Sequence, residues 1–108
     1  MRLCFDLDGT LCTNTYGDYE NAEPIISAIK KVNKLYDEGH YIMIFTARYM
    51  GKFQGDVKKV YDFGYETTKK QLEKWNIQYH ELLLGKPEFD IVIDDKNHNF
   101  DNDWPNKI

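Results

Sequence analysis

The sequence predicts a single α/β domain over residues 1–108 with a mostly parallel sheet. Short apolar runs alternate with amphipathic helical segments along the chain, an order that builds strand–helix–strand units. At least one of those runs, YIMIF, is apolar at every position, as a parallel strand covered on both faces requires. Right-handed crossovers then bring the carboxyl ends of the strands to one edge of the sheet, where ligands bind in open α/β folds.

The first strand is expected over residues 2–6, RLCFD, and ends in a carboxylate followed closely by Gly9. A helix is expected over roughly 24–38. Its apolar face carries Ile25, Ile29, Val32 and Tyr36, with Pro24 at its start and Gly39 as its left-handed stop. YIMIF is the second strand, and it ends at Thr46, Ala47 and Arg48. Residues 49–55 hold two glycines and read as a mobile loop carrying aromatic side chains. From Asp56 to Trp75 the chain favours helix but meets Gly64, which predicts one broken helix or two short ones. HELLLG is expected as a third strand before Lys86 and Pro87, and FDIVIDD as a fourth that ends in Asp94 and Asp95. Past Asn97 only Phe100 and Trp104 offer apolar anchors.

Composition narrows the function classes. Fourteen basic residues against eighteen acidic ones give a net charge of -4, so release of counterions from nucleic acid is a poor source of binding energy and no nucleic-acid partner is expected. No apolar run reaches membrane-spanning length and no secretory leader pattern is present, so a cytoplasmic location and no membrane partner are expected. Cys4 and Cys12 lack CxxC spacing and read as reduced structural thiols. His40 and His80 precede strands and read as structural, whereas His98 follows Asp95 closely enough to be weighed as a substrate contact.

Four strand ends would gather Asp6, Thr46, Lys86 and Asp94, with Asp8 and Asp95 beside them. Each pair of carboxylates at 4 Å costs about 4 kcal/mol at an effective dielectric of about 20. Such a cluster needs protons or a hard dication, and an all-oxygen set selects Mg2+. A phosphate monoester would meet the metal, the Lys86 ammonium and the Thr46 hydroxyl with neighbouring backbone N–H groups. One carboxylate attacks phosphorus and a second protonates the leaving alcohol, roles for which Asp6 and Asp8 are placed if Gly9 lets the chain turn and Thr10 holds that turn. Each motif alone has a plainer reading: DxDGT as a turn, Thr46 as a strand end, Lys86 as a solvated lysine, the aspartate pair as a helix cap.

FDLDGTL at 5–11, IFTAR at 44–48, GKP at 85–87 and IVIDD at 91–95 resemble, in that order, the motifs of the haloacid dehalogenase superfamily of aspartyl-phosphate phosphatases. FTARYMG, LGKPEFDIVIDDK and the Asp103–Trp104 pair are similar to its small capsule-biosynthesis phosphatases of bacterial polysaccharide clusters. The resemblance implies a three-layer α/β/α Rossmann-like core. It assigns Asp6 as nucleophile and metal ligand, Asp8 as general acid and base that also touches Mg2+, Thr46 as a phosphate contact and Lys86 as the charge-offsetting cation. Asp94 and Asp95 would complete the metal set. Substrate contacts are expected from Gly9, Thr10, Ala47 and Arg48, the last through its planar fork. The intervals between motifs leave no room for a cap domain. The loop with Tyr16 and Tyr19, the loop with Tyr49, Met50 and Phe53, or a second subunit of a homo-oligomer would have to cover the site. The implied activity is Mg2+-dependent hydrolysis of a small phosphorylated sugar or alcohol. Competing readings are a nucleic-acid-end phosphatase and a catalytically silent phosphate- or metal-binding module.

Overall fold

A computed structural model describes residues 1–108. Three strands, β1 (Arg2–Phe5), β2 (Tyr41–Phe45) and β3 (Glu81–Leu83), form one parallel sheet in the order β1-β2-β3. Arg2 pairs with Tyr41 and Phe5 with Ile44, while Met43 pairs with Glu81 and Phe45 with Leu83. Two helices connect them, α1 (Ile26–Asp37) and α2 (Val57–Lys74). No helix is long and apolar enough to cross a membrane.

Helix α1 forms because its apolar positions recur at helical spacing: Ala28, Ile29, Val32 and Leu35 are buried and the lysines face outward. It stops at Gly39, whose φ of +94° continues no helix and suits glycine. Asn33 then ties α1 to the link after α2, donating to the Asn76 carbonyl at 2.9 Å and accepting from the Gln78 N–H at 2.8 Å. On β2, Ile42 and Ile44 are fully buried while the alternate positions are only half-buried, so one face of the sheet is covered more completely than the other.

The chain does not break at Gly64. Asp56 caps α2 by accepting from the Lys59 N–H, and the helix runs uninterrupted to Lys74. Glycine is needed there for space: a Cβ at position 64 would lie 2.2 Å from the ring of Tyr49. Tyr49 itself has a φ of +69°, an uncommon backbone for an aromatic residue, and sits in this notch against the helix.

The expected fourth strand is absent. Residues 91–95 join no ladder, and Ile91 and Ile93 are 80% and 97% exposed. After β3, Gly85 turns the chain at a φ of +87°, the Lys86 N–H bonds to the Thr46 carbonyl, and Pro87 has no N–H to offer a neighbour. Asp94 then closes a tight turn, accepting from the N–H groups of Lys96 and Asn97. The outer edge of β1 remains unpaired. In the tail Trp104 is buried against Phe5, with ring centroids 5.5 Å apart, while Phe100 is exposed.

Candidate active site

The carboxyl end of β1 runs into a tight turn. Leu7 presents its carbonyl to the N–H groups of Thr10, Leu11 and Cys12, and Gly9, at a φ of +87°, returns a bond from its N–H to the Cys12 carbonyl. This turn lets Asp6 and Asp8, two residues apart, face the same cavity of about 1290 Å³. Thr46, Ala47 and Arg48 at the end of β2 line it as well, as does Lys86 after β3. The convergence expected at the sheet edge therefore holds for these three strand ends.

Asp6 is the accessible carboxylate, its side chain 41% exposed. One oxygen lies 3.4 Å from Lys86 Nζ and the other accepts from Thr10 Oγ1 at 3.4 Å. Lys86 is held in reach because Tyr61 on α2 clamps the preceding backbone, accepting from the Leu84 N–H at 3.0 Å and donating to its carbonyl at 3.3 Å. Thr46 is buried, and its hydroxyl oxygen accepts from the Arg48 N–H.

Asp8 has a different environment. Both its oxygens accept from Arg48, at 2.8 Å from Nε and 2.9 Å from Nη2. Cys12 Sγ also donates to it at 3.5 Å, and burial, with Asp8 as the next cause, pushes the Cys12 thiol up to about 12. The fork of Arg48 is turned inward, which corrects its reading as a substrate anchor. The side chain is 1% exposed, its remaining nitrogen donates to Gln71 Oε1 at 2.6 Å, and its guanidinium lies 4.6 Å from the Tyr19 ring centroid. Burial acts to lower the Arg48 pKa, but the bonds and charge of Asp8 more than offset this and leave it raised. Gln71 completes the assembly by donating to the Tyr19 carbonyl at 2.8 Å. Arg48 thus fastens β1, α2 and the 14–21 loop together around Asp8.

Gly9 and Thr10 shape the turn but are not on the cavity wall, and His98 is not on it either. Asp94 and Asp95 lie on the exposed segment 91–95, and nowhere do three His, Cys, Asp or Glu side chains come together as a metal-ligand group. The set Asp6, Asp8, Asp94 and Asp95 is therefore not assembled, because the strand that should deliver its second half has not joined the sheet. With Asp8 taken up by Arg48 and Asp6 alone accessible, the residues at the cavity floor do not fit an Mg2+ site as they stand. Gln71, Phe63 and Thr67 were not singled out by the sequence, though Gly64, Thr67, Thr68 and Gln71 share one helical face of α2 at the i, i+3, i+4, i+7 spacing that would have shown it.

Fold and site together define an α/β chain that presents carboxylates, a threonine and a lysine in an open cleft at the carboxyl edge of a parallel sheet. No family model and no curated protein matches it. Among solved structures it is similar to a structural-genomics target from Vibrio cholerae that carries no functional name. The TM-score is 0.83 at 29% identity over 98% of this chain and 94% of that one.

Proposed function

We propose that the chain is a capless phosphatase of the haloacid dehalogenase type that forms an aspartyl-phosphate on Asp6. The observation that carries this reading is the accessible Asp6 carboxylate on the cavity floor, with Lys86 at 3.4 Å and Thr46 on the same wall. An Asp6 oxygen attacks phosphorus as the bond to the leaving oxygen breaks, and that oxygen takes a proton. Water then cleaves the acyl phosphate and releases inorganic phosphate. Lys86 offsets the negative charge that Asp6 and the phosphoryl oxygens share. Asp8, which lines the same cavity, exchanges the leaving-group proton in this reading, and to do so it must give up one of its bonds to Arg48.

Mg2+ belongs to this reading through the sequence resemblance, and its ligand set requires Asp94 or Asp95 to reach Asp6. The three-layer form of the fold rests on the same resemblance and requires helices on both faces of the sheet. A small phosphorylated sugar or alcohol as substrate, and a place in surface-polysaccharide precursor synthesis, likewise rest on that resemblance.

The experiment is Asp6→Asn assayed with a generic phosphoester, with and without Mg2+. Turnover is expected to fall by at least about a thousandfold, as for loss of a covalent nucleophile. Unchanged turnover in protein free of other phosphatases would remove Asp6 from the reaction. A second reading, a silent phosphate-binding module, is favoured by the engagement of both Asp8 oxygens. It predicts binding of inorganic phosphate with no phosphate release by the unaltered chain.

A further inference from the structure

The cavity is larger than its chemistry at the floor requires. A phosphoryl group beside Asp6, Thr46 and Lys86 fills a small part of about 1290 Å³, whereas cavities for whole small molecules run about 300–1000 Å³. The remaining space has two distinct linings.

One is an aromatic wall. Tyr49 meets Tyr19 edge-on with centroids 5.1 Å apart and Phe63 edge-on at 5.2 Å. The Gly64 notch and the positive φ of Tyr49 hold that ring against α2. The other is a charged rim. Asp18, Glu20, Glu88 and Asp90 line the cavity outside the floor with Lys52 the one ammonium among them, and Lys52 Nζ lies 4.8 Å from the Phe63 ring centroid. Negative charge therefore dominates the entrance while Lys86 marks the floor, and a ligand that fills the cleft brings its far end up to the rim carboxylates, inside the screening length of about 10 Å at 0.1 M salt.

We infer that this cleft selects phosphomonoesters whose leaving group is a polyhydroxyl ring, neutral or amine-bearing, seated on the Tyr49 wall, and rejects those carrying a second anionic group. The inference rests on the phosphatase reading above. Ring hydroxyls donate to the rim carboxylates, the C–H face of the ring covers an aromatic side chain, and an ammonium gains from the rim what a second phosphate loses.

The test uses the full chain with Mg2+ and five probes: acetyl phosphate, glucose 6-phosphate, glucosamine 6-phosphate, fructose 6-phosphate and fructose 1,6-bisphosphate. The expected kcat/KM for fructose 6-phosphate exceeds that for the bisphosphate by about tenfold or more, and glucosamine 6-phosphate is turned over at least as well as glucose 6-phosphate. Glu20→Lys combined with Asp90→Lys narrows the monophosphate-to-bisphosphate ratio to about threefold or less, a ratio taken within one protein so that any general change in activity cancels. Tyr49→Ala raises KM for glucose 6-phosphate about tenfold more than it raises KM for acetyl phosphate, and Tyr49→Phe restores it. Equal or better use of the bisphosphate, or a ratio unmoved by the charge reversals, overturns the inference while acetyl phosphate hydrolysis keeps the phosphatase reading intact. Failure to hydrolyse acetyl phosphate or any other probe removes the phosphatase reading itself, and the selection falls with it.

Discussion

Two pairs of adjacent carboxylates, Asp6 with Asp8 and Asp94 with Asp95, stand in opposite kinds of structure. The first pair is fixed by a turn closed on one carbonyl, an ion pair to a buried arginine and the strand that precedes it. The second lies on an exposed stretch whose contacts are local to its own turn. The difference teaches that a short local signal builds its own geometry. A strand, by contrast, exists only if a distant edge accepts it.

The strongest way to break the first region is Arg48→Ala. The substitution leaves Asp8 beside a buried void with neither oxygen paired to a cation, and also frees Gln71 and the Tyr19 loop. Removing one partner of a buried pair costs about 3–5 kcal/mol, so urea unfolding should show a loss of that size. A loss under about 1 kcal/mol would mean that Asp8 is solvated and free to act.

The tail gives a contrast on a smaller scale. Trp104 is buried against Phe5, whereas Phe100 is 56% exposed. Trp104→Ala should cost about 3 kcal/mol and Phe100→Ala less than about 0.5 in the same measurement. Equal effects would show that the whole tail packs as one unit.

What the sequence made legible follows this division. The β1 motif and the body and Gly39 stop of α1 were readable from neighbours in sequence, although the helix begins at Ile26 and Pro24 instead forms a bridge with Cys12; the arrival of Thr46 and Lys86 at one cavity followed from the strand–helix order. The inward turn of Arg48 was not, since its partners Asp8 and Gln71 are 40 and 23 residues away and no spacing rule links them. IVIDD has the composition of a buried strand, yet composition names no partner edge, and the turn chemistry of Gly85, Pro87 and Asp94 carries the chain elsewhere.

Gly64 was misread for a related reason: an isolated glycine in a helix looks like a break when the side chain that fills its notch is not in view. Gly64→Ala should therefore destabilise by about 1–3 kcal/mol through the collision with Tyr49, although alanine is the better helix former by about 1 kcal/mol. Adding Tyr49→Ala should turn that loss into a gain relative to the Tyr49→Ala single variant. A double-mutant cycle with no coupling would detach the aromatic wall from α2.

The smallest expected effect decides the most about the second region. Ile93 is 97% exposed, so Ile93→Lys should change stability by less than about 0.5 kcal/mol, measured by urea unfolding with Ile44→Ala as the buried reference. Ile44 is fully buried on the central strand and its truncation should cost about 2–5 kcal/mol. A loss of about 2 kcal/mol or more from Ile93→Lys would mean that residues 91–95 spend their time against the sheet, and the free edge of β1 is the one place where an apolar strand ending in Asp94 could pair beside Asp6. Repeating the pair of measurements with Mg2+ separates the two cases further. If the carboxylates meet only when the metal draws them together, Ile93→Lys becomes costly in its presence and stays neutral without it.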